Sequence, residues 1–183
     1  MGGKYFLMKS FLVILLFSLP VFAQDQATAA RMAAGCGPNE IQFDVKTDKH
    51  QHPTSKPEPG KALVYVFADT VWDNATLRVG GLTTRVGLDG AWVGANNFKS
   101  YFFFAADPGD HRLCTSQQSK IESRTKTSAA VSLTTEAGKI YYFRTRTPEH
   151  PVQHETVELV SVDPAQAQLL IAASSFSTFH QKK

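Results

Sequence analysis

The chain has 183 residues, 43% of them hydrophobic and 11% aromatic, with 19 basic and 16 acidic side chains for a formal charge of +3. That length suits one domain with a sizeable core. The near-balance of charge gives no electrostatic footprint for nucleic acid, so none is expected as a partner.

The chain opens MGGKYFLMKSFLVILLFSLPVFAQDQ. Lys4 and Lys9 precede an apolar run from Phe11 to Ala23, which closes on Val21-Phe22-Ala23, small enough at both flanks for signal peptidase. Residues 1–23 are therefore expected to be a cleaved signal peptide, with Met8 an alternative start. A membrane anchor is the competing assignment, but the run is 13 residues and contains Pro20, whereas a spanning helix needs about 20. Cleavage after Ala23 leaves 160 residues with a charge of +1, because both lysines and no acid are lost.

Residues 24–39 begin small and polar and read as a flexible leader, followed by a domain over 40–173 and a tail over 174–183 that is expected to fray. Cys36 and Cys114 are the only cysteines, and an isolated pair in an oxidising compartment forms a disulfide. Closing its loop contributes about 4 kcal/mol in the chain-entropy account. The alternative is lipidation of Cys36, since Ala33-Ala34-Gly35-Cys36 resembles the end of a lipobox. It lacks a large aliphatic residue at Ala33, lies well past the apolar run and leaves Cys114 unpaired. Only that route would give membrane association. The expected location is extracytoplasmic, periplasmic or secreted, with a membrane-anchored lipoprotein as the alternative.

Along the domain, Ile41, Phe43 and Val45 alternate with polar residues, the period of a half-buried strand. TDKHQHPTSKPEPG has no apolar residue and reads as a solvated loop. Ala62–Ala68 (ALVYVFA) is apolar on both faces, as a central strand is. Leu77–Leu82 suggests another strand. Thr84–Leu88 and Ala91–Gly94 flank Asp89-Gly90, a two-residue hairpin signal in which both turn positions take positive φ. Tyr101 to Phe104 form four consecutive aromatics that alternate between two faces, so neither face is expected to be wet. Asp107-Pro108-Gly109-Asp110 suits a type II turn and His111–Ser116 the returning strand. Ala129–Thr134 and Lys139–Thr145 flank another hairpin-like spacing, and Thr156–Val162 is a last strand. Asp163-Pro164-Ala165-Gln166 has a helix-starting pattern, with Ala165, Leu169, Ala172 and Phe176 on one face. The whole predicts a mainly β, antiparallel β-sandwich of seven or eight strands with one short C-terminal helix, a small barrel being the alternative.

Signals for chemistry are weak. His50 and His52 lie in a Pro-rich loop without further ligands at a metal-site spacing. His154 and Glu158 imitate part of a zinc-protease motif, but on a strand they stand about 13 Å apart. There is no nucleophile elbow, phosphate loop or dinucleotide fingerprint, so no catalytic residue, cofactor or metal is assigned and a non-catalytic protein is expected. Asn74-Ala75-Thr76 reads as a polar turn. Trp72 and Trp92, with Asn96 and Asn97, are the candidate ligand-binding residues, since exposed aromatics beside amides stack on sugars or contact proteins.

GKALVYVF (60–67), VGLDGAWVGANNFKSYFFFAADPGDHRLC (86–114), AGKIYYFRTR (137–146) and LVSVDPAQAQLLI (159–171) occur in that order. Together they resemble an uncharacterised bacterial family of small secreted or lipid-anchored envelope proteins. This domain of unknown function carries the patterns G-K-x-x-V-Y-V, P-G-x-H-x-L and A-G-K-x-Y-Y. The resemblance implies a transthyretin-like or carboxypeptidase-regulatory-like sandwich and brings no substrate or catalytic residues. The family often has Arg where Ala68-Asp69 stand, and the polar loop over 47–60 reads as an elaboration. The resulting expectation is a structural or protein-interaction domain at the cell envelope, with an unknown envelope protein as partner. A carbohydrate-binding module that takes a glycan through an exposed Trp is the second reading, and an enzyme the third.

Overall fold

The computed structural model describes residues 35–69, 83–118, 128–146 and 157–182. The expected signal peptide, the strand at 77–82, Trp72, Asn74 and His154 lie outside the described residues. In chain order the elements are β1 (Phe43–Asp48), β2 (Ala62–Ala68), β3 (Thr83–Leu88), β4 (Ala91–Asn97) and β5 (Ser100–Ala106). There follow β6 (Gly109–Gln118), β7 (Ser128–Thr135), β8 (Ile140–Arg146), β9 (Glu158–Ser161), α1 (Pro164–Ala173) and β10 (Ser175–Gln181).

These ten strands form two sheets, one of six in the order β1-β10-β5-β2-β8-β9 and one of four in the order β4-β3-β6-β7. The fold is thus mainly β and sandwich-like, not a closed barrel. The larger sheet is mixed rather than purely antiparallel, because β10 runs parallel to β5 and β2 parallel to β8.

Strand alternation explains the two apolar layers. Val64, Val66 and Phe102 face inward and pack with Val86, Leu113 and Leu133 of the smaller sheet. Leu63, Tyr65, Phe67 and Tyr101 face the other way and pack with Val162, Ala167 and Ile171, with Phe103 and Phe176 beside them. The larger sheet is therefore covered on both sides, which is why ALVYVFA and the four aromatics have no polar face.

The cover on the outer side is α1 and the loop before β2. That loop is polar but not simply solvated. Its Ser55 N–H donates to the Tyr65 hydroxyl at 2.8 Å, the Tyr101 hydroxyl donates to the Pro53 carbonyl at 2.9 Å, and His52 Nδ1 donates to the Ile171 carbonyl at 2.9 Å. Two tyrosines with apolar bodies and polar tips anchor a loop that has no apolar residue of its own.

The helix starts as its sequence directs. Asp163 caps it, Oδ1 accepting from the Ala165 and Gln166 N–H groups, each at 3.0 Å, and Pro164 occupies the first turn. The buried face is not the expected one. Ala167 and Ile171 are buried, whereas Ala165 and Ala172 are exposed and Leu169 is 71% exposed. PAQAQLLIAA carries no charge, so nothing in it polarises one face against another, and the fixed cap and the turn into β10 select the face.

Three other expectations are corrected. β5 and β6 do not pair as a hairpin across Asp107–Asp110: β5 pairs with β2 and β10, and β6 with β3 and β7. The connection carries the chain between sheets, and so does the one from β7 to β8. The tail is not frayed, since β10 pairs antiparallel with β1 over six residue pairs, Asp48↔Phe176 to Phe43↔Gln181.

Candidate functional site

Two clusters hold the residues that the sequence singles out. The first lies at one end of the sandwich. Asp89 and Gly90 take φ of 54° and 86°, the positive values of a tight two-residue turn, and the Asp89 carboxylate is thereby aimed at β6. Its Oδ1 accepts from the Arg112 N–H at 2.8 Å and its Oδ2 from His111 Nδ1 at 2.7 Å. The other ring nitrogen of His111, Nε2, lies 2.8 Å from the Asp107 carbonyl oxygen.

His111 is 4% exposed. Each of its ring nitrogens lies within hydrogen-bond distance of a protein oxygen. The Asp107 carbonyl also accepts from the Thr135 hydroxyl, and its carboxylate pairs with Lys61. The Lys61 carbonyl in turn accepts from the Gly138 N–H at 2.8 Å, and the Tyr141 hydroxyl accepts from the Glu136 N–H at 3.0 Å. Residues of G-K-x-x-V-Y-V, P-G-x-H-x-L and A-G-K-x-Y-Y thus meet in one network. Sequence reasoning missed the pairing of Asp89 with His111. The only available signal was an acid in a tight turn and a histidine early in a later strand.

The second cluster lies on the outer face of the smaller sheet. The disulfide joins Cys36 to Cys114, with Cα atoms 5.5 Å apart, and draws residues 36–41 across β3, β4 and β6. Gly87 lets this segment approach, because a Cβ there would strike the Cys36 carbonyl. Trp92 Nε1 donates to the Pro38 carbonyl at 2.8 Å, and the Arg85 guanidinium lies 4.4 Å from the Trp92 ring centroid.

Arg85 Nη1 donates to the Asn39 and Ile41 carbonyls at 3.2 and 2.8 Å, and Nη2 to the Ser116 hydroxyl at 3.1 Å. Its side chain faces only neutral acceptors in these contacts, and burial lowers its pKa. Residues 36–39 of the expected leader are therefore held against the sheet rather than loose.

The three candidate ligand residues that are described, Trp92, Asn96 and Asn97, do not form one surface. Trp92 is half-buried under the leader. Asn96 is wholly buried and donates to the Val66 and Ser100 carbonyls at 3.0 and 3.2 Å, bridging the two sheets. Asn97 accepts from the Thr83 hydroxyl at 3.0 Å, and Trp72 lies outside the described residues.

Among the described residues there is no group of three or more His, Cys, Asp or Glu placed to hold a metal ion, and no helix long and apolar enough to cross a membrane.

The family profile of DUF2846, described as a protein of unknown function, matches residues 58–158, more than half of the chain. The chain belongs to this family. All three short motifs fall within the matched span, so the DUF2846 region supplies the network around His111, together with β2 to β8. The stretch 159–171, Cys36, β1 and β10 lie outside it. No curated protein matches the chain.

Proposed function

We propose that this DUF2846 protein is a non-catalytic extracytoplasmic module with a structural or protein-interaction role at the bacterial cell envelope. The observation that carries this reading is the disulfide from Cys36 to Cys114. Such a bond persists in an oxidising compartment, and the basic and apolar opening of the sequence supports export. The motif residues with catalytic potential support the non-catalytic part. His111, Asp89 and Thr135 spend their polar atoms on the turn, on β6 and on the Asp107 carbonyl, which favours a role in holding shape.

The test is to express the full chain in a bacterium that exports it, fractionate the cells and take intact masses with and without reduction before alkylation. The expected product is an envelope-fraction protein lacking residues 1–23, with both cysteines protected until reduced. Cytoplasmic protein with two alkylated thiols would overturn the reading. A product beginning at Cys36 with added lipid mass would refute the disulfide and make the protein a tethered lipoprotein.

A further inference from the structure

Strand alternation in the β1 and β10 pair sets two faces apart. Lys46 lies opposite Thr178 and Asp48 opposite Phe176, all on the outer face, while Phe43, Val45 and Ser177 turn inward. Directly after β1 the residues Lys49, His50 and Gln51 fold over this outer face. Together they enclose an open groove of about 620 Å³ lined by Lys46, Asp48, Lys49, His50, Phe176 and Thr178, among others, within the usual size range of small-molecule sites.

The groove combines two features. Its cations are unspent: among the described residues Lys46 and Lys49 have no ion pair, while Asp48 turns Oδ1 to the His50 backbone N–H at 2.8 Å. At the other end of this strand pair the Lys182 ammonium meets Asp44 at 3.2 Å, and the His180 ring stands 3.6 Å from the same carboxylate. Its floor is aromatic and held in place. The half-buried Phe176 ring stands 5.5 Å from Tyr101 and 5.7 Å from Phe103.

We infer that this groove binds a small organic anion with a flat apolar part, its charge met by Lys46 and Lys49 and its apolar part laid on Phe176. Every residue in the groove lies outside the span matched by DUF2846, so the site belongs to what this chain adds around the family core. It does not depend on the interaction role proposed above.

The experiment is a fluorescence titration of the disulfide-bonded protein with 1-anilinonaphthalene-8-sulfonate, an aromatic anion, with far-UV circular dichroism confirming the native fold. Saturable one-to-one binding is expected, displaced by benzoate and not by benzyl alcohol. The double variant Lys46→Glu, Lys49→Glu should bind about tenfold more weakly or worse, a loss of about 1.4 kcal/mol, and the neutral probe N-phenyl-1-naphthylamine should show no such dependence. Leu169→Ser, on the exposed face of the helix, should leave binding unchanged. Unsaturable binding, equal affinity in the double variant, or loss of binding in Leu169→Ser would each overturn the inference.

Discussion

The span matched by the family and the segments wrapped around it treat their polar groups differently. Inside residues 58–158, Asp89, His111, Asp107, Thr135 and Lys61 are turned on one another until the network is closed. Outside it, the leader offers two carbonyls to Arg85 Nη1, but β1 and the loop after it leave Lys46 and Lys49 open beside an aromatic floor. The family core thus uses its motif residues to hold its own shape. The open lysines beside an aromatic ring lie instead in the added layer.

The strongest way to break that contrast is to detach the layer. The double variant Cys36→Ser, Cys114→Ser frees the leader from a core residue 78 positions away, and should cost up to about 4 kcal/mol, read as a fall in the urea midpoint. An unchanged midpoint would mean that the leader is held without the bond. Next comes Ile171→Ala, which hollows the seat of α1 and should cost about 3 kcal/mol. Leu169→Ala two residues earlier should stay within about 0.5 kcal/mol, because that side chain already lies in water.

Within the core, His111→Gln should cost about 2 kcal/mol, since the buried ring that links the half-buried Asp89 carboxylate to the Asp107 carbonyl is lost. A loss under about 0.5 kcal/mol in the same denaturation assay would show that the network is not what secures this end of the sandwich.

The last effect is silent at neutral pH. Burial, aided by the nearby Tyr65, pushes the Tyr101 hydroxyl up from 10.0 to about 12. The folded state therefore keeps a proton that the unfolded chain releases. This contribution is complete below pH 10 and is lost as the pH rises toward about 12. Urea midpoints should fall across that window, and less steeply in Tyr101→Phe.

How much of this was legible depended on how local each signal was. Asp89-Gly90 names its own turn because the φ requirement lies within two residues, and ALVYVFA announces burial on both faces by itself. Asp107-Pro108-Gly109-Asp110 announces a reversal, but a reversal does not say which sheet receives the next strand, so the hairpin reading failed. The helix cap was legible in Asp163 and Pro164, while the buried face was not, because an uncharged helix has no pattern to break the tie. SFSTFHQ looked like a tail since its partner strands lie over 70 and 120 residues away. Of the candidate ligand residues, Trp92 and Asn96 are common binding types, and only the fold shows that one lies under the leader and the other between the sheets.

The place of β10 has a consequence for how the molecule is made. Residues 175–181 fill an interior position of the larger sheet, between β1 and β5. While the ribosome is still adding residues before 175, β1 has no neighbour to pair with on that side and the sheet is missing a middle strand. Closure of that sheet therefore follows the synthesis of residues 175–181. A chain that ends before residue 175 would therefore leave both β1 and β5 with an unpaired edge in the larger sheet.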